Sequence, residues 1–364
     1  MSAADRATLR PVTVLTGFLG SGKTTTLTRL LKAPEFAGTV VIINEFGEIG
    51  LDHLLIETSE ERFALLDNGC VCCTVRDDLV ETLLGLAARA KSGELPAFRR
   101  VVIETTGLAD PAPILHALMA DGRLTAAYTI DGVLTTVDAA NGLATLGAHG
   151  EAVKQVAVAD RLLVTKTDLV SATAQASLLA RLSALNPTAE IILSQDGDAP
   201  PMALVGAASE SCADDDVVDW FQRVAAPSRF RAEGHDEPCA NRRCRDPRHG
   251  FAHGANISTF CLAIDEPVRW AAFKQWLEYL AMLKGEDLLR FKGLIHIAEQ
   301  PQTPIVVHGV QHVFHPPREL ERWPSEDRRT RLVFITRAIP RAVIESTLSK
   351  FVVIDATHIR SPAA

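Results

Sequence analysis

Near its N-terminus the chain carries Gly17-Phe18-Leu19-Gly20-Ser21-Gly22-Lys23-Thr24, a match to the G-x-x-x-x-G-K-[ST] pattern. Its chemistry is the cradling of phosphate. Glycines let the backbone wrap closely, so that consecutive N–H groups face phosphate oxygens. A helix opening at this point adds the partial positive charge of its N-terminus. Lys23 is placed to reach β- and γ-phosphates, and Thr24 to ligate Mg²⁺ through its hydroxyl. Gly17, Gly20, Ser21, Gly22, Lys23, Thr24 and Thr25 are the expected phosphate-side residues.

Two further segments complete a nucleotide site. Val101-Val102-Ile103-Glu104-Thr105-Thr106-Gly107 is an apolar run ending in a carboxylate, followed by a glycine whose N–H can meet a γ-phosphate. Glu104 either holds the Mg²⁺ shell or orients the attacking water. By itself, such a glutamate could equally close a strand. Leu163-Val164-Thr165-Lys166-Thr167-Asp168 resembles the N-K-x-D element of GTPases, with Thr in place of Asn. A carboxylate at Asp168 accepts hydrogen bonds from guanine N1–H and the 2-amino group, donors that adenine lacks in that arrangement. The stem of Lys166 can cover the base face. An Asp that merely opens the next helix is the competing reading.

The third constellation is Asn68-Gly69-Cys70-Val71-Cys72-Cys73, three thiols within four residues. They cannot all pair with one another, and thiolates favour Zn²⁺, Cu(I) and similar softer metals over Mg²⁺. Three sulfurs leave a fourth coordination position open, which suits transfer better than a closed structural site. Small side chains buried in a turn are the alternative.

The elements that must position these groups alternate. Apolar runs at Val12–Thr16, Val40–Asn44, Val101–Glu104, Gly132–Val137, Arg161–Thr165 and Ile191–Ser194 read as strands. Helical stretches at Thr24–Lys32, Leu79–Ala90, Pro111–Met119 and Ala172–Leu185 lie between them. Such alternation predicts an α/β domain with a mainly parallel sheet flanked by helices, over residues 1–224 and closing with a helix at Asp215–Val224. Residues 225–255 lack apolar periodicity and read as a linker. Residues 256–356 read as a smaller α+β domain: a strand at Ser258–Ile264, a helix at Val268–Leu283, strand-like runs to His315, a strand at Arg331–Ile335 and a helix near Pro340–Ser349.

Composition narrows the function classes. With 37 Lys plus Arg against 45 Asp plus Glu, the net charge of −8 disfavours a general nucleic-acid binder. An odd count of seven cysteines, three of them clustered, is no secreted disulfide framework and points to a reducing compartment. No stretch is long and apolar enough to predict a membrane span, and the polar first ten residues do not resemble a signal peptide. A cytoplasmic protein is expected.

Taken in order, Gly17–Thr25, Asn44-Glu45-Phe46-Gly47-Glu48, Cys70-Val71-Cys72-Cys73, Glu104-Thr105-Thr106-Gly107-Leu108-Ala109-Asp110-Pro111 and Thr165–Asp168 resemble the CobW-type GTPases, metallochaperones of the SIMIBI class of P-loop NTPases. The resemblance extends over about residues 11–355, with Arg290-Phe291-Lys292-Gly293 and Arg331–Ile335 resembling the family's C-terminal domain. It implies a GTPase with Lys23, Glu104 and Gly107 at the reacting phosphate. It implies Mg²⁺ at Thr24, and Zn²⁺ (or Co²⁺) held by Cys70, Cys72 and Cys73. Glu48, with Glu45 and Asp52, would lie near a metal in a switch segment. It further implies that GTP orders the thiol site, and that hydrolysis relaxes it and passes metal to a client apo-metalloprotein. Some relatives carry a carboxylate where this chain has Ile43, so a metal site using it is absent or altered here. A cobalt-delivering protein of cobalamin synthesis, a nucleotide-regulated metal buffer or sensor, and a redox role for the thiols are the competing readings. The client and the oligomeric state are not legible.

In the linker, His235, Cys239, Cys244, His249 and His253 offer Cys-x4-Cys-x4-His-x3-His, enough ligands for a second Zn²⁺. Interleaved arginines equally suit docking of an acidic partner. His53, His116, His149, Cys212 and Cys261 read as surface or core residues. Trp270, Phe273, Trp276, Leu277 and Leu280 repeat at helical spacing and read as core.

Overall fold

The computed structural model describes residues 9–44, 54–58, 62–65, 75–194, 198–204, 257–352 and 359–360. The chain divides into two compact units. One comprises Met1–Gly142, Ala159–Leu178 and Ala189–Ser211; the other comprises Leu143–Val158, Leu179–Thr188 and Cys212–Ala364. The helix expected at 215–224, the boundary at 224 and the whole linker lie outside the described residues.

The first unit is built on an eight-stranded sheet in the order β4-β3-β2-β5-β1-β6-β7-β8. Its strands are β1 (Arg10–Gly17), β2 (Thr39–Asn44), β3 (Leu54–Thr58), β4 (Arg62–Leu65), β5 (Arg100–Thr105), β6 (Tyr128–Asp138), β7 (Arg161–Thr165) and β8 (Glu190–Leu193). Six of them run parallel, and β3 and β4 add an antiparallel edge. Buried Val, Leu and Ile fill β1, β5 and β7 almost without alternation, as strands covered on both faces require. The helices that alternate with these strands along the chain are α1 (Lys23–Leu30), α2 (Val75–Ser92), α3 (Ala112–Ala120), the single turn α4 (Gly122–Thr125), α5 (Gly142–Ala148), α6 (Gly150–Val158) and α7 (Ala172–Leu185), of which α5 after Gly142, α6 and the C-terminal half of α7 fall in the second unit. On one face Leu15, Val41, Val102, Leu134 and Leu163 meet Leu27 and Leu30 of α1 and Phe36.

Strand β6 is longer than its apolar run predicts. A bulge between Val12/Thr13 of β1 and Ile130/Gly132 of β6 leaves Asp131 as the extra residue. The buried Asp131 carboxylate accepts the Thr13 hydroxyl at 3.1 Å. The six parallel strands end in the same direction, so the groups after β1, β5, β6 and β7 share one edge.

The second unit has a sheet in the order β12-β11-β10-β14-β9-β15, with β13 paired to β11. These strands are β9 (Ile257–Ile264), β10 (Leu288–Ile295), β11 (Ile305–Val310), β12 (Val313–Phe314), β13 (Arg318–Glu319), β14 (Thr330–Arg337) and β15 (Ile359–Arg360), and all the paired ones are antiparallel. Helices α8 (Trp270–Lys284) and α9 (Arg341–Val352) cover one face. The expected core stripe is there: Phe273 and Trp276 are fully buried, and Leu277 and Leu280 nearly so. Trp270 is partly buried against them. Phe334 sits amid Phe260, Phe291 and Trp276, at ring separations of 5.3, 5.0 and 6.2 Å. The Trp276 indole donates to Thr347 Oγ1 at 3.1 Å, which satisfies its polar edge.

The opposite face of this sheet holds Cys261, Leu294, Val306 and Val333, together with charged residues. Burial pushes the Cys261 thiol up to about 12, so it is an inert core thiol as expected. Arg290, Lys292, His308 and His315 are all buried in this unit, and Lys292 lies directly opposite His308 in register. His308 is held well below the ordinary histidine range by burial first, then by Lys292, His315, Arg290 and Arg318. No helix among the described residues is long and apolar enough to cross a membrane.

His308 gives this unit an acid sensitivity. Its folded-state affinity for a proton is below that of the unfolded chain. Its contribution is therefore complete above about pH 6.5 and declines as pH falls below that, by at most about 1.4 kcal/mol per pH unit. Urea melts of the wild type at pH 7.5 and 5.5 are expected to show a lower midpoint at the acid pH. His308→Gln is expected to shrink that difference; an unchanged difference refutes the assignment.

Candidate nucleotide-binding site

The loop between β1 and α1 departs from ordinary backbone at three glycines. Gly17, Gly20 and Gly22 have φ of 144°, 73° and 93°. At Gly17 the need is doubly strict. A Cβ there would lie 2.7 Å from Ser21 Oγ, and closer still to the hydroxyl and carbonyl of Thr136. The Lys23 ammonium folds back over the loop, donating to the Gly17 and Phe18 carbonyls at 2.8 and 3.3 Å. Ser21 Oγ lies 2.6 Å from Thr136 Oγ1, which fastens the loop to the end of β6. Thr24 and Thr25 are exposed on the first turn of α1.

Strand β5 delivers Glu104 beneath this loop. Its side chain is buried, and its Oε1 accepts the Thr24 hydroxyl at 2.6 Å. The structure thus brings a phosphate-loop hydroxyl and a strand-end carboxylate together. These hard oxygen donors fit a Mg²⁺ ion. The next residue, Thr105, ties β5 to β1 through Thr16 Oγ1 at 2.7 Å. Gly107 is packed against Leu19: a Cβ on Gly107 would lie 2.7 Å from the Leu19 nitrogen. The segment after β5 and the phosphate loop therefore touch directly.

The end of β7 carries the residues expected to read the base. Thr165 Oγ1 donates to the Ser21 carbonyl at 2.8 Å and lies 3.3 Å from the Val137 carbonyl. The hydroxyl that stands in place of the Asn of the N-K-x-D pattern thereby binds this turn to the phosphate loop. Lys166 adopts a left-handed conformation, φ 58°, rare for a side-chain-bearing residue. Its ammonium donates to the Gly20 carbonyl at 2.8 Å and to Asp138 Oδ2 at 2.7 Å. Thr167 donates to the Ser194 carbonyl at 2.8 Å. Asp168 is exposed on the short 3-10 turn Thr167–Leu169, where its carboxylate can accept from a base.

Three residues here were not singled out from the sequence: Thr136, Asp138 and Ser194. Asp138 carried a faint signal, a carboxylate closing a buried strand with Asn141 three residues on. Glu48, Cys70, Cys72, Cys73 and the linker set His235, Cys239, Cys244, His249 and His253 lie outside the described residues. Among the described residues no group of three or more His, Cys, Asp or Glu is arranged to hold a metal. His116 is buried on α3 and His149 exposed, in keeping with structural roles.

Residues 11–193 match the nucleotide-binding domain described as CobW/HypB/UreG. This chain belongs to that family. Residues 257–352 match the C-terminal domain of the cobalamin synthesis protein CobW. Among CobW/HypB/UreG relatives, the chain is 31% identical over 339 residues to the zinc chaperone YjiA of Escherichia coli, covering 93% of this chain and 97% of that one. It is 31% identical to the zinc chaperone CobW of Pseudomonas aeruginosa, covering 93% and 90% of the two chains. The zinc-regulated GTPase metalloprotein activator 1 of Schizosaccharomyces pombe is 28% identical over 84% of this chain and 76% of its own. The crystal structure of the Zn(II)-bound YjiA GTPase of E. coli superposes with a TM-score of 0.67 at 27% identity, over 94% of this chain and 99% of that one.

The glycine geometry separates two substitutions. Gly17→Ala combines a left-handed φ with a collision against Thr136 and is expected to destabilise the first unit by about 2–4 kcal/mol. Gly20→Ala meets nothing within 4 Å. Its cost is expected to be about 1 kcal/mol, from the backbone alone. Denaturant melts of both variants measure the difference.

Proposed function

We propose that the chain is a GTP-hydrolysing metallochaperone that binds Zn²⁺ through Cys70, Cys72 and Cys73 and delivers it to client apo-proteins under control of the nucleotide. The hydrogen bond of Thr24 to Glu104 under the phosphate loop, 2.6 Å long, carries the nucleotide half. The names of the relatives support the metal half, joined to a thiol cluster whose chemistry suits zinc.

In this reading the N–H groups of Gly20–Thr24 hold the β-phosphate, and Lys23 moves its ammonium from the Gly17 and Phe18 carbonyls to the β- and γ-oxygens. Thr24, with Glu104 beside it, would hold Mg²⁺, which would neutralise charge on the phosphates. Glu104 either completes that Mg²⁺ shell or orients the attacking water, and the Gly107 N–H meets the γ-phosphate. Water adds to the γ-phosphorus, the β–γ bridge breaks, and GDP and phosphate result. Asp168 selects guanine, with Thr165 and Lys166 fixing its turn to the loop. Gly107 touches Leu19, so a change at the γ-phosphate reaches the segment after β5 directly.

Metal release follows from differential affinity. If GTP orders the thiols better than GDP, Zn²⁺ binds the GTP state more tightly, and by reciprocity Zn²⁺ tightens GTP binding. The match of the C-terminal domain to a cobalamin synthesis protein keeps Co²⁺ as a second reading, since both ions accept tetrahedral thiolate sites. Competition between Zn²⁺ and Co²⁺ for the GTP-loaded protein separates the two.

Replacing Cys70, Cys72 and Cys73 by Ser is expected to abolish Zn²⁺ retention, measured by metal analysis, while GTP turnover persists. Equal Zn²⁺ affinity in the GTP-analogue and GDP forms of the wild type contradicts the switch. Asp168→Asn exchanges an acceptor for a donor, suited to the 2-oxo group of xanthine. It is expected to move preference from GTP to XTP by at least about tenfold, read from turnover with each nucleotide.

A further inference from the structure

We infer that Asp138 is a positioning residue of the nucleotide site: it fixes the ammonium of Lys166, and through it locks the base-reading turn to the phosphate loop. The inference rests on reading this face as a guanine-nucleotide site.

Asp138 closes β6 and belongs to neither the phosphate loop nor the Thr165–Asp168 element. Its side chain is 10% exposed, against 37% for Lys166. The two carboxylate oxygens do different work. Oδ1 accepts the Ala140 and Asn141 N–H groups at 2.8 and 3.3 Å, capping the turn that follows β6. Oδ2 accepts Lys166 Nζ at 2.7 Å and Asn141 Nδ2 at 3.0 Å. Burial opposes the charge on this carboxyl, but the donors from Lys166, Asn141 and Ala140 outweigh it and keep the group below its usual range. It is therefore anionic at neutral pH and an effective anchor for a cation.

Lys166 needs such an anchor. A lysine head is a strongly hydrated point charge on a flexible stem, and half-exposed it would sample many rotamers. Its backbone is in addition left-handed, φ 58°, a conformation that a Cβ disfavours. The ammonium bridges Asp138 on β6 and the Gly20 carbonyl of the phosphate loop. The strands beneath are already in register, Asp138 opposite Thr165, and the Ala139 N–H donates to the Thr165 carbonyl at 2.9 Å. Asp138 thus stands beside a side chain that joins the base turn to the loop from the exposed side. Thr165 makes the corresponding join from the buried side, through the Ser21 carbonyl. With both joins closed, the stem of Lys166 and the carboxylate of Asp168 stand at a fixed place relative to the phosphate-binding N–H groups. That distance is what a nucleotide, with base and phosphates linked by a ribose, must match.

The separation of roles between Oδ1 and Oδ2 makes the inference testable against a plain turn-capping role. Asp138→Asn keeps the oxygen that caps the turn and replaces the anion facing Lys166 by a neutral amide. Calorimetric titration of the full chain with GDP is expected to show binding weakened about tenfold in Asp138→Asn, with a melting temperature close to that of the wild type. Lys166→Ala is expected to weaken binding to a similar degree. In the Lys166→Ala background, Asp138→Asn is expected to change affinity by less than about twofold, since its partner is gone. Should Asp138→Asn fail to fold, Asp138→Ser retains a capping oxygen without the carboxylate and carries the same expectations. Unchanged GDP affinity in the single variant, or the same loss in both backgrounds, overturns the inference while leaving the guanine-nucleotide reading intact. A wild type that does not bind GDP overturns that reading, and the inference with it.

Discussion

Backbone N–H groups can cradle a phosphate only if the loop bearing them keeps one shape, and an isolated glycine-rich loop keeps none. Here the shape is imposed from outside the loop. Thr136 grips Ser21 from β6, Thr165 grips the Ser21 carbonyl from β7, Lys166 grips the Gly20 carbonyl, and Glu104 takes the Thr24 hydroxyl from β5. The parallel order β5-β1-β6-β7 brings these strand ends to a common edge, so the sheet topology and the site are one arrangement. Each bond is modest alone, about 1 kcal/mol or so, but together they remove the freedom that binding would otherwise have to freeze out.

What the sequence made legible follows this division. The loop residues are contiguous, so their pattern announces itself. The residues that hold the loop are dispersed and ordinary in type. Thr136 and Asp138 close a strand that a bulge at Asp131 makes hard to read, since polar residues and a glycine interrupt its apolar run. Lys166 stands out in its motif, but its partner Asp138 lies 28 residues away, beyond any local pattern. Strands β3 and β4 are short, and antiparallel to the sheet they extend, so alternation of strands and helices gave no hint of them. Helices α5 and α6 begin at Gly142 and Gly150, residues that read as breaks. The apolar strands β1, β5 and β7, the helix α7 and the aromatic stripe of α8 stand where their periodicity placed them.

In the second unit the two faces of the sheet follow opposite rules. One is an aromatic core in which Phe334 touches three rings. The other buries several cationic or titratable side chains, with Arg290 donating to the Val158 carbonyl at 3.1 Å. Val158 ends α6, which precedes β7 in sequence yet belongs to this unit. Helix α6 lies in the stretch read as the nucleotide domain, and its Ala157 packs on Leu289 and Ile335.

The buried Trp276 has a practical corollary. All four tryptophans, Trp220, Trp270, Trp276 and Trp323, come after Ser211, where the nucleotide-binding unit ends. That unit is therefore dark in tryptophan emission, and the other supplies the whole signal. Emission excited in the indole band is a built-in gauge of communication. Light that changes when nucleotide meets Gly17–Thr24 has registered, through tryptophans of one unit, an event in the other.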